Sequence, residues 1–160
     1  MDSDKEQLKE LFFLYGVCLS RIATIDAFFI NLLAFNKFKF EGEFVGKTYT
    51  QQEQEKFASH YNDVATTKML VRDFREKFDT TKFDDLFDEL VKIRNLLAHK
   101  YMRFNWQQLP NRELREDIYD DLLYVFNFLN KFDERLTNQW FFTRANSDYG
   151  MRWKGIRKRQ

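Results

Sequence analysis

A chain of 160 residues that is 44% hydrophobic and 32% charged is long enough for one domain with its own core and too apolar for a disordered segment. One cysteine, Cys18, excludes an intramolecular disulfide and a cysteine-based zinc site. The net charge of +1 is unevenly spread: from Arg144 onward six basic residues face Asp148 alone, so a tail of +5 follows a body of −4. The opening MDSDKEQLKE is charged and unlike a secretory leader, and a reducing cytoplasmic setting is expected.

One proline and five glycines in the whole chain favour long helices. The first is expected from about Lys5 to Phe35, where Leu8, Leu11, Phe12, Tyr15, Leu19, Ile22, Phe29 and Leu33 recur at helical spacing. Phe13, Val17, Phe28 and Ile30 make it apolar almost all round, so it must be covered on more than one side. Arg21 and Asp26 interrupt the run at a cost that a bilayer would magnify. The expectation is therefore a central helix that also faces another subunit, with no membrane.

Residues 36–50, NKFKFEGEFVGKTYT, read as a loop or short hairpin-like excursion, in the manner of a lid. A second helix is expected from Gln51 to Phe78 on the stripe Phe57, Tyr61, Val64, Val71, Phe74 and Phe78. The third follows a cap among Asp79, Thr80 and Thr81 and runs from Phe83 to about Phe104. The fourth opens near Pro110 and Asn111 and carries Leu114, Ile118, Leu122, Val125, Leu129, Phe132 and Leu136. The expected architecture is all-α: a single-domain bundle of four long helices over residues 1–143, then a basic C-terminal tail over 144–160.

The stretch RNLLAHKY, residues 94–101, breaks the pattern of the third helix. At ~100° per residue, Arg94 falls within about 40° of the direction shared by Phe83, Phe87, Leu90, Leu97 and Tyr101. An arginine on an apolar stripe needs an acceptor or an opening to solvent, and Asp26 of the first helix is a candidate ion-pair partner. His99 lies about 140° further round, in a polar row with Asp88, Lys92 and Asn95. In a straight helix the two side chains diverge too far to grip one phosphate, so either a bend near the helix end or a site shared between subunits is required.

Arg94, Asn95 and His99, late in a helix of an all-α bundle, resemble the signature of the HEPN superfamily: an arginine, a polar residue, and a histidine after four to six positions. The longer form R-x4-H-x-Y, continuing to Tyr101, is similar to the motif of HEPN toxins paired with nucleotidyltransferase antitoxins. The resemblance implies a HEPN-like bundle in a two-fold homodimer, acting as a metal-independent endoribonuclease, a toxin or host-defence effector. It requires no cofactor and no metal, and its products end in a 2′,3′-cyclic phosphate. It makes His99 the acid/base, Arg94 the clamp on phosphate and transition state, and Asn95 a support. It also makes Tyr101 a candidate for silencing by a nucleotidyltransferase partner, against the plainer role of a core aromatic.

These residue types suit the chemistry. Cleavage beside a 2′-OH needs a base and an acid, and histidine serves as either near neutral pH. The transition state gathers negative charge, for which a guanidinium offers a permanent, forked set of donors. The tail residues Arg152, Trp153, Lys154, Arg157 and Lys158 combine charge with an aromatic surface and are candidate RNA contacts. The acid-rich FDDLFDEL and EDIYDDLL read as solvated helix faces rather than a two-metal site. The alternative function is a non-catalytic HEPN-like helical module that binds nucleotide, RNA or a partner protein.

Overall fold

The computed structural model describes residues 2–41, 46 and 48–145. Helix α1, Asp2–Phe35, passes directly into a wide π-helical turn, Asn36–Glu41. Helix α2, Gln51–Ser59, starts at a capping box in which Glu53 N–H donates to Thr50 Oγ1 and Glu53 Oε2 accepts from Thr50 N–H. It runs into a second π-helical turn, His60–Val64. Helix α3 is Thr67–Lys77, and α4, Asp84–Leu96, follows the 3₁₀ turn Thr81–Phe83. A third π-helical turn, Leu97–Tyr101, leads into the short α5, Met102–Asn105, and the 3₁₀ turn Trp106–Gln108. The long α6, Arg112–Ala145, completes the described chain.

The all-α class is as expected, but the four-helix count is not. The expected helix from Gln51 to Phe78 is two helices, because Ala65 and Thr66 adopt extended backbone and the Thr66 hydroxyl caps α3 by accepting from Met69 N–H. The break carries neither glycine nor proline. Part of the expected loop is also helical, since Asn36–Glu41 continues α1. Residues 42–45 and 47 of that excursion, and 146–160 of the expected tail, lie outside the described residues.

Four helices nevertheless make the core. Phe29 of α1 is fully buried and meets Phe74 of α3 at 5.0 Å, Phe87 of α4 at 5.6 Å and Phe132 of α6 at 6.5 Å between ring centroids. Edge-on rings at such separations add about 1 kcal/mol each to the burial of their area. Helix α1 is long and apolar enough to cross a membrane by length and composition. In the folded chain Leu11, Cys18, Ile25, Phe29 and Leu33 of that helix are core residues against α3, α4 and α6. Phe12 and Phe13 point outward, at 44% and 73% exposure. Helix α2 buries no side chain completely among the described residues and packs against this core at its edge through the half-buried Phe57.

A buried arginine closes one end of the bundle. Arg115 of α6 is 3% exposed. It donates to Gln7 Oε1 at 2.9 Å, to Leu109 O at 2.9 Å and to Asp4 Oδ1 at 2.6 Å, tying α1 to α6 and to the turn before it. Arg115→Ala strands the Leu109 carbonyl and is expected to cost about 2–3 kcal/mol. Arg112→Ala, at an exposed ion pair with Glu116, should cost less than about 1 kcal/mol. Urea denaturation of the two variants checks the contrast.

Candidate functional site

Arg94 stands half-buried in the last turn of α4, at the edge of the apolar stripe formed by Leu90, Ile93, Leu97 and Tyr101. Had α4 continued as a regular α-helix, His99 would point about 140° away from it. The π-helical turn at Leu97–Tyr101 changes that, because closing on the fifth residue instead of the fourth unwinds the path by part of a turn. His99 is thereby returned to the side of Arg94, and Arg94 Nη1 stands 3.1 Å from His99 Nε2. The bend is within the chain itself, so a single copy already unites the two residues.

A guanidinium has donors alone, so His99 meets it through the Nε2 lone pair. An imidazole beside a fixed cation, at an exposed position, has the form of a base next to an anion clamp. Asn95 is also exposed. Its Oδ1 accepts a long bond of 3.4 Å from Arg94 Nη1, so it supports the arginine.

Two tyrosine hydroxyls tie the wide turn to α1 and α6. Tyr15 of α1 donates to Leu97 O at 2.7 Å, and Tyr101 donates to Ile118 O of α6 at 2.9 Å. Their rings stack at 6.4 Å with 16° between planes. Tyr101 is 4% exposed, so its hydroxyl is a core bond and is not presented to a modifying partner. Burial, reinforced by the charge of Asp121, pushes its phenol far above the ordinary value, and burial raises Tyr15 as well. Tyr15 drew no functional attention in the sequence, where it was one more member of an apolar stripe.

Asp26 is near Arg94, though as a third party rather than half of a simple ion pair. Its Oδ2 accepts from the Thr67 hydroxyl at 2.9 Å, and Thr67 is itself 1% exposed at the start of α3. Its Oδ1 is buried without a hydrogen-bond partner among the described residues. Burial raises the Asp26 pKa, while the Thr67 bond and the Arg94 charge oppose the rise. Thr67 gave no sequence signal, because a threonine inside an apparently continuous helix looks ordinary.

Two of the acids early in α4, Asp84 and Asp88, share one cation. Arg75 bonds Asp84 Oδ1 at 3.1 Å and Asp88 Oδ1 at 3.0 Å, and Thr80 donates to Asp84 at 2.9 Å. Among the described residues no group of three or more His, Cys, Asp and Glu side chains is placed to hold a metal ion. The expected RNA contacts Arg152, Trp153, Lys154, Arg157 and Lys158 lie outside the described residues.

A carboxyl whose folded pKa is raised favours folding below its unfolded value of about 4, and that contribution is lost as pH rises through the folded value. Asp26→Asn stays neutral at every pH. It should raise the melting temperature at pH 7, with the gain over wild type vanishing as pH falls toward 4. Thermal denaturation across that range checks it. The chain matches no protein-family model, no curated protein and no solved structure, and the reading of the site rests on its own geometry.

Proposed function

We propose that this protein is a metal-independent endoribonuclease of the HEPN type. The observation that carries the reading is the 3.1 Å approach of Arg94 Nη1 to His99 Nε2 at the exposed end of α4. The His99 imidazole removes the 2′-OH proton, the 2′-oxygen attacks the adjacent phosphorus, and the P–O5′ bond breaks. The departing 5′-oxygen takes a proton from an imidazolium, leaving a 2′,3′-cyclic phosphate and a 5′-hydroxyl. Arg94 neutralises charge on the phosphoryl oxygens as it develops, and Asn95 steadies the guanidinium.

A homodimer supplies a second histidine, so that one acts as base while the other acts as acid. Exposed apolar side chains flank the site and support this assembly. Leu96, 40% exposed, lies within the motif, and Phe12 and Phe13 are on the stretch of α1 whose Tyr15 touches Leu97. The biological role that follows is a cytoplasmic toxin or host-defence effector, held in check by a partner such as a nucleotidyltransferase antitoxin. Control through Tyr101 would first have to draw its hydroxyl off the Ile118 carbonyl.

The test is incubation of wild type, Arg94→Ala and His99→Ala with total RNA in EDTA, with product ends identified chemically. Wild type should cut and leave cyclic phosphate ends. Each variant should lose about 10²-fold or more while its melting curve and dimeric sedimentation stay unchanged. Intact RNA in every lane from folded wild-type dimer overturns the nuclease and favours a binding module.

A further inference from the structure

The outward row of α4 continues beyond the site in the N-terminal direction. Asp88, Lys92 and Asn95 follow one another at spacings of four and three along one face, and Asn95 meets Arg94. Helix α3 begins at Thr67, whose hydroxyl holds Asp26 beside Arg94. Between these two helices runs an open groove of about 920 Å³. Its α4 wall includes Lys92, one turn before Asn95, and its α3 wall starts at Lys68, next to Thr67. The groove therefore leads to the Arg94–His99 pair.

Its lining has four cations, Lys68, Arg72, Arg75 and Lys92, against the acids Glu76 and Asp88, a surplus of two in a chain whose whole net charge is +1. Arg75 is turned inward, bonded to Asp84 and Asp88 and lying 5.7 Å over the Phe87 ring. The other three face outward, with Arg72 and Lys92 side chains 61% and 75% exposed. Arg72 is held by its sequence neighbour Asp73 through Nε at 2.9 Å and Nη2 at 2.8 Å, a pair that a phosphate must compete with, whereas Glu89 meets Lys92 only loosely at 3.7 Å. Lys68 and Arg72 are one helical turn apart, about 5–6 Å at Cβ, on the scale of successive phosphates along a strand. Met69 and Val91 give the floor an apolar surface on which bases can rest.

We propose that this α3–α4 groove is the path of the RNA strand, with Lys68, Arg72 and Lys92 holding phosphates on one side of the scissile bond. The assignment rests on the ribonuclease reading of Arg94 and His99 and adds the surface that binds the substrate. It adds contacts on α3 and α4 to those expected of Arg152, Trp153, Lys154, Arg157 and Lys158.

The experiment titrates a labelled single-stranded oligoribonucleotide with full-length His99→Ala protein over a range of salt concentrations. It is repeated with Lys68→Gln, Arg72→Gln and Lys92→Gln added together. A control carries the same charge change at the exposed Lys5, Lys9 and Lys131. Loss of the groove cations should weaken binding at least tenfold and flatten the slope of log affinity against log salt by about 2, three contacts at ~0.7 each. The control should keep affinity within about twofold, and both variants should keep the parent melting temperature because the substituted side chains are exposed.

Equal affinity and slope in the groove and control variants overturn the proposal, as does failure of the parent to bind the oligonucleotide. Competition by poly-glutamate as effective as by RNA of equal charge overturns the assignment to RNA. Should wild type leave all RNA intact while the groove variant alone loses binding, the groove stands and the nuclease falls. Cleavage by wild type and groove variant at equal kcat and KM has the opposite meaning.

Discussion

The turn at Leu97–Tyr101 is the constraint on which the site depends. An α-helix would separate Arg94 from His99 by well over a right angle, and a π-helical turn is rare because its backbone packs less closely along the axis. Something outside the helix must make the wider turn the stable one. Tyr15 and Tyr101 do this by anchoring it to α1 and α6 through hydroxyl-to-carbonyl bonds worth about 1 kcal/mol each. The same tyrosines stack on one another, so the two anchors are one structure. The distance between the motif residues is thus set by packing from helices distant in sequence.

That dependence explains what could be read from the sequence. Helical periodicity located α1, α4 and α6 because their apolar spacing follows from regular geometry, and Leu90, Leu97 and Tyr101 are buried as their stripe required. Asn111 is at the start of α6, where its side chain accepts from Glu113 and Leu114 N–H. The π-helical turns left no trace, since one extra residue in a turn shifts the pattern by less than the scatter of the pattern itself. The break at Ala65–Thr66 was hidden for a related reason: a threonine hydroxyl makes the cap, and threonine also occurs within helices. Arg94 and His99 were conspicuous as residue types, whereas their meeting depended on a backbone irregularity that composition does not encode.

Arg94 looked anomalous on an apolar stripe, and its surroundings remove the anomaly at some cost. The stripe ends at a boundary where α1 brings Asp26, itself bonded by Thr67 at the start of α3, within electrostatic reach of the guanidinium. Asp26 keeps one oxygen buried and unbonded among the described residues, an arrangement that weakens the fold at neutral pH. A serine or asparagine would satisfy Thr67 more cheaply. A carboxylate can do what neither can: it attracts Arg94 electrostatically while His99 and Asn95 meet Nη1. Local instability of this kind is common where preorganised charge has a use.

The field around the site has the same logic at longer range. A chain of net charge +1 has little attraction for a polyanion as a whole, so any steering must come from how its charges are distributed. Glu116, Asp117, Asp120 and Asp121 are all exposed on the first turns of α6, while outward cations border the α3–α4 groove. For the RNA path proposed above, the acidic stretch would repel a strand and the groove would hold it, without requiring a high net charge. The Tyr101 bond to Ile118 anchors the wide turn to that same acidic segment of α6. The helix that shapes the site is therefore also the one that carries the acidic stretch.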